Sequence, residues 1–155
     1  MNDPLLLHFQ NQWKFVRGLT LDLLQSIPDA QFESSPGRDL GPWWKQFRHV
    51  GRVQENYLDA MSSGTVKFGF AGATYQLGPS KLELEKYLKH LDNRLHALLQ
   101  EGGCCKTVDW FGEPKPVACH LLCLADHEIL HQGQWIAYCR IFGGTFPESW
   151  GAWGI

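Results

Sequence analysis

The stretch that decides the reading runs from Val117 to Phe142: VACHLLCLADHEILHQGQWIAYCRIF. Only Asp126, Glu128 and Arg140 carry a formal charge in it. It follows Pro116 and stops at Gly143-Gly144, which suits one long helix from about Pro116 to Phe142. A helix that is apolar nearly all round is expected to be buried on most sides. Polar groups inside it are then costly unless they are paired or ligated. Yet His120, His127, His131, Gln134 and Tyr138 fall close to one face. His127 and His131 stand four residues apart, which sets two imidazoles about 6 Å apart along the axis and pointing the same way. Neutral imidazoles so placed can converge on one ion. They can equally be two structural histidines, each with its own hydrogen-bond partner.

Working outward, three more helices are predicted. The first spans about Pro4 to Ser26, with Asp3 as its N-cap and Leu6, Phe9, Trp13, Val16, Leu19 and Leu23 on one face. The second spans about Pro42 to Ser62, with Trp43, Phe47, Val50, Val53, Tyr57 and Met61 in the same period and Gly64 as its stop. The third begins at the capping box Ser80-Lys81-Leu82-Glu83, carries Leu84, Leu88, Leu91, Leu95 and Leu98, and ends at Gly102-Gly103. The connections 27–41, 63–78 and 103–115 are rich in Gly, Pro and Ser. Long connections of this kind suit an all-α four-helix bundle with a crossover. Residues 1–155 then form one domain, with little sheet beyond an extended excursion in 63–78. An aromatic tail, Phe146 to Trp153, is expected to pack back onto the bundle or onto a second subunit.

His127-Glu128-Ile129-Leu130-His131 matches the H-E-x-x-H pattern of zinc peptidases. The extended form of that motif fails: the glycine falls at 133, and no histidine follows His131. A third ligand is better sought upstream, where His49 borders the apolar stripe of the second helix. A lone histidine in that position is, by itself, more often structural.

The run Trp44-Lys45-Gln46-Phe47-Arg48-His49-Val50, the segment His127 to Gln134, Arg140 before Gly143, and Phe146-Pro147 with Ser149-Trp150 together resemble the DinB/YfiT-like superfamily. His-x-x-x-His-x-Gly-Gln is the most specific part, and the order and spacing cover essentially the whole chain. The resemblance implies a bundle of up-down-down-up connectivity and one metal ion held by His49, His127 and His131. It also implies frequent homodimers, and activities that include metal-dependent hydrolysis and thiol transfer with a low-molecular-weight thiol. It speaks more strongly to fold and metal than to reaction.

Imidazole ligands suit zinc or nickel, and iron is compatible. Gln134, on the ligand face, is expected to contact a bound water or substrate, or to bridge helices. Glu128 is expected as a general base or as an anchor for an imidazole, with the anchoring role preferred. Tyr57 and Tyr138 either rim a pocket or belong to the core. His120 lies about 10 Å from His127 along the axis, too far to share an ion. Cys123 continues the ladder as a soft donor, although Cys119 and Cys123 also read as buried filling. His8, His90 and His96 are assigned to the surface. Arg48 and Arg52 flank His49 and either attract an anion or form a solvated face.

A net charge of −2 and no basic cluster argue against nucleic acid as a partner. No apolar run is long enough to span a membrane, and the N-terminus lacks a leader pattern. The five cysteines form no disulfide framework. A cytoplasmic setting follows as the expectation. Three function classes result: a metal-dependent hydrolase or thiol transferase for a small molecule, a non-catalytic stress-related dimeric bundle, and an H-E-x-x-H peptidase.

Overall fold

The computed structural model describes residues 4–37, 39–69, 71–100 and 105–155. The expected N-cap Asp3, the stop at Gly102-Gly103, and Cys104 lie outside the described residues. The elements are α1 (Pro4–Ser26), α2 (Asp29–Phe32), α3 (Trp43–Ser63), α4 (Lys81–Gln100), β1 (Thr107–Trp110), β2 (Glu113–Pro116), α5 (Val117–Phe142) and a 3-10 helix (Glu148–Trp153). The four long helices fall where the apolar periodicity puts them. In α1, Phe9, Trp13, Val16, Leu19 and Leu23 are buried, and in α3 so is every residue of the predicted stripe.

Local chemistry sets the helix ends. Gly64 takes φ +80° and its N–H returns to Ala60, closing α3 with a conformation that costs glycine nothing. Gly143 does the same for α5 at φ +64°. At the start of α4 the Ser80 hydroxyl accepts the Glu83 N–H at 3.3 Å.

Helix α1 packs on α5 and α4, and α3 packs on α4 and α5. The α3/α5 seam decides the site. Gln46 donates to Tyr138 at 3.0 Å, the His49 ring faces His127 and His131, and His120 meets the Tyr57 carbonyl at 3.3 Å. As numbers rise along α3 they fall along α5, so the two helices are antiparallel. Below the histidines the seam is filled by large rings: Phe47 stacks on Trp135 at 4.7 Å and Trp43 meets Tyr138 edge-on at 4.9 Å. Rings of this size supply most of the burial energy at such a junction. The aromatic tail folds back: Trp150 is buried and its Nε1–H donates to Leu19 at 2.8 Å.

Two features depart from the sequence reading. The stretch 103–115 contains an antiparallel hairpin in register Trp110↔Glu113, and Thr65 bridges to Asp109 alongside it. Its signal was a β-prone Thr107-Val108 leading to a Phe111-Gly112 turn, hidden among Gly and Pro. The second departure is α5, which is not enclosed on most sides. Cys119, Leu122, Cys123, Leu130 and Ile141 are exposed. Cys119 and Cys123 are therefore not core filling, whereas Cys139 is buried, and burial pushes its thiol up to about 11. No described helix is long and apolar enough to cross a membrane.

Candidate metal centre

His49 comes from α3, and His127 and His131 from successive turns of α5. The ring centroids are 5.3 Å (49–127), 4.9 Å (49–131) and 4.6 Å (127–131) apart. One ligand nitrogen from each ring lies within 4.8 Å of the others, and all three side chains are half-buried. The antiparallel seam explains the convergence: the four-residue step on α5 spans one turn, and His49 sits opposite the gap.

The electrostatics suit a cation. Burial drives the His127 imidazole down to about 3, with the neighbouring rings of His131 and His49 adding to the effect. Burial and His49 bring His131 down to about 4, and burial lowers His49 as well. All three rings are neutral near pH 7 and offer lone pairs. Nδ1 of His131 is buried with no hydrogen-bond partner, an uncompensated polar atom of the kind a ligand relieves. Gln134 stands beside that ring without a formed bond to Nδ1, close enough to favour the protonated form against burial. Three neutral nitrogens from a half-buried cluster match the donor set of a divalent metal site with positions left open. The residues present fit such an ion.

The other predicted residues separate. Glu128 is 1 % exposed and its carboxylate turns to α1, accepting the Thr20 hydroxyl at 2.6 Å and Arg17 Nη2 at 3.4 Å. Burial raises its pKa, while Arg17 and Thr20 pull it back. His120 is buried one seam-length away, its ring 4.3 Å from Tyr57. Tyr138 is a core tie: it donates to Gly41 at 2.8 Å. Arg52 donates to the Tyr75 carbonyl at 2.8 Å, and the Arg48 guanidinium lies 4.5 Å over Trp44. His8, His90 and His96 are exposed. The sequence missed the buried network of Arg17, Gln54, Asp92, Thr20 and Gln132 that holds Glu128. A lone Arg17 within the apolar face of α1 was its only trace.

The family model for the DinB superfamily matches residues 12–135. This chain belongs to the DinB superfamily. Among solved structures, the DinB-like protein YjoA from Bacillus subtilis superposes with a TM-score of 0.73 at 17% identity, covering 92% of this chain and 96% of that one. A DinB-like protein from Bacillus cereus gives a TM-score of 0.73 at 20% identity, over 90% of this chain and 93% of the other. At those identities the likeness speaks to the fold. A search of curated proteins returned no match. Within the DinB chain, all three clustered histidines fall inside the matched span.

Proposed function

We propose that this DinB protein binds one divalent ion through His49, His127 and His131 and with it activates a small molecule for hydrolysis or thiol transfer. The observation that carries the reading is the approach of three imidazole nitrogens, from two helices, to within 4.8 Å of one another. A divalent ion held by neutral imidazoles keeps its full charge, so it acidifies water or a thiol near neutral pH and polarises a carbonyl. The chain's own residues supply the rest. Gln134, on the ligand side of α5, orients a polar group of the substrate. Partial burial of the rings holds them unprotonated and so available as donors. Zinc or nickel is the expected occupant, with iron compatible.

In this reading Glu128 is a strut that ties α5 to α1 beside His127, and the H-E-x-x-H match is incidental. A peptidase would need that carboxylate beside the ion, and its bonds run to Thr20 and Arg17 instead. The bundle is proposed to follow the up-down-down-up connectivity that the sequence resemblance implies. A homodimer would cover the exposed apolar residues of α5, Leu122, Leu130 and Ile141.

Cobalt(II) titration tests the centre. The wild-type protein should show saturable visible absorption at one equivalent, and His49→Ala should abolish it. Retention of the signal in His49→Ala would move the ligand set downstream and revive the peptidase. A turnover screen with activated esters and low-molecular-weight thiols tests the reaction. No turnover in the loaded protein would leave a binding bundle.

A further inference from the structure

The seam between α1 and α4 holds a cavity on the side of the bundle away from the histidines. Helix α1 packs on α4 and α5, and α3 packs on the same two, so the α1/α4 and α3/α5 seams are opposite one another. The cavity has a volume of about 510 Å³, inside the range of about 300–1,000 Å³ typical of small-molecule sites. Its lining follows α1 from Phe9 to Leu21, about 18 Å, and α4 from Asp92 to Leu99, about 10 Å. The space is therefore longer than it is wide and suits an extended ligand.

Most of the wall is apolar. Phe9, Trp13 and Leu95 belong to the core and line the cavity, and the half-buried Leu21 and Leu99 extend it. Gly18 lines it too, and nothing lies within 4 Å of a Cβ placed there, so the wall is open at that point. An apolar ligand body laid against these side chains removes its own surface and theirs from water.

The polar part of the lining is short of acceptors. Arg17 is 3 % exposed, and its guanidinium lies 4.9 Å over the Trp13 ring. Its Nη2 donates to Gln54 at 2.8 Å and to Glu128 at 3.4 Å, and its Nε stands 3.4 Å from Glu128 and 3.6 Å from Asp92. Nη1, the third corner of the fork, is buried with no hydrogen-bond partner, and so is Nε2 of Gln10 in the same lining. Every orphaned buried atom along this cavity is thus an N–H donor, and an orphaned donor of this kind calls for an oxygen. Asp92 does not fill that need, because its Oδ1 already accepts Trp13 Nε1 at 3.0 Å and Gln54 Nε2 at 3.1 Å. At the rim, Lys14 is exposed, lies three residues before Arg17, and has no ion-pair partner among the described residues.

We propose that the α1/α4 cavity is a second ligand site, which takes a small monocarboxylate with an extended apolar body. The carboxylate sits between Arg17 and Lys14, and the body lies along Trp13, Leu95 and Leu99. The site is separate from the three histidines and stands whether or not they hold a metal. Charge-assisted hydrogen bonds to a guanidinium and an ammonium are about twice as strong as neutral ones, so the carboxylate is favoured over an alcohol on the same chain.

The test titrates octanoate, octan-1-ol and octylamine calorimetrically into the whole protein and into His49→Ala. Octanoate should bind saturably at one equivalent, roughly tenfold more tightly than octan-1-ol. Octylamine should bind more weakly than either. His49→Ala should bind octanoate as the wild type does. Lys14→Glu, an exposed substitution that leaves the core alone, should weaken octanoate several-fold and leave octan-1-ol unchanged. Gly18→Phe places a ring in the open part of the wall and should weaken octanoate and octan-1-ol alike. An octanoate affinity that Lys14→Glu, or a folded Gly18→Phe, leaves unmoved overturns the site. Absence of saturable octanoate binding overturns it too, since solvent would then satisfy Arg17 and Gln10. Octylamine binding more tightly than octanoate overturns the assignment of ligand class, with Asp92 as the recognising group. Loss of octanoate binding in His49→Ala would place the ligand at the histidines and overturn the second site.

Discussion

Glu128→Gln separates a structural carboxylate from a catalytic one. Glu128 lies one residue from His127 and, in sequence, occupies the base position of an H-E-x-x-H motif. In space its carboxylate meets a buried guanidinium: Arg17 is 3 % exposed, with Nε 3.4 Å from Glu128 and 3.6 Å from Asp92. Breaking a buried pair by removing one partner costs about 3–5 kcal/mol, because the surviving charge is left uncompensated. Asp92 remains beside Arg17 and Gln54 still accepts from it at 2.8 Å, so the loss falls at the lower end, about 3 kcal/mol. For a chain of this length that lowers Tm by about 6–12 °C. Urea unfolding should show a reduced midpoint with an unchanged slope, and elemental analysis of the same folded sample should show unchanged metal content. A loss below about 1 kcal/mol would refute the buried-pair argument. Loss of metal from a folded Glu128→Gln protein would refute the placement of Glu128 outside the centre.

Two further outcomes follow from the same structure. His127 and His131 titrate near 3 and 4 when folded, below their ordinary range, so in metal-free protein the unfolded chain binds protons first as pH falls. Stability from these rings is complete above about pH 6.5 and is lost as pH drops towards 4. Halving the upper value for partial exposure, the loss is about 2 kcal/mol between pH 6.5 and 5, read as a falling urea midpoint that a His127→Gln/His131→Gln variant flattens. Two helix glycines should respond with opposite signs. A Cβ at Gly51 would meet Tyr87 Cε1 at 2.4 Å and Leu88 Cδ2 at 3.1 Å, so Gly51→Ala should cost about 1–3 kcal/mol. Nothing lies within 4 Å of a Cβ at Gly18, so Gly18→Ala should add about 1 kcal/mol, and thermal unfolding of the pair checks both.

The helices were legible because each needed only its own apolar period and its stops. Gly64 and Gly143 ended α3 and α5 where a left-handed residue was required. His127 and His131 were legible as a pair because one helix fixes their spacing. His49 was less so: its role depends on the antiparallel pairing of α3 with α5, which local periodicity does not encode, and the resemblance supplied it. The hairpin was lost because four-residue strands carry little alternation and its turn uses Phe where Asn is usual. The facing of Glu128 was lost for a different reason. A helix that is apolar all round gives no phase, so nothing in α5 said which side would meet α1 and which would stay bare.

The most direct test of the metal centre is elemental analysis of untagged protein purified without added metal, compared with His49→Ala, His127→Ala and His131→Ala. The structure predicts about one divalent ion per chain in the wild type and loss of most of it in each folded variant, because a three-ligand site does not survive on two. A wild-type protein without stoichiometric metal, or a His49→Ala protein that retains it, would contradict the centre built from α3 and α5.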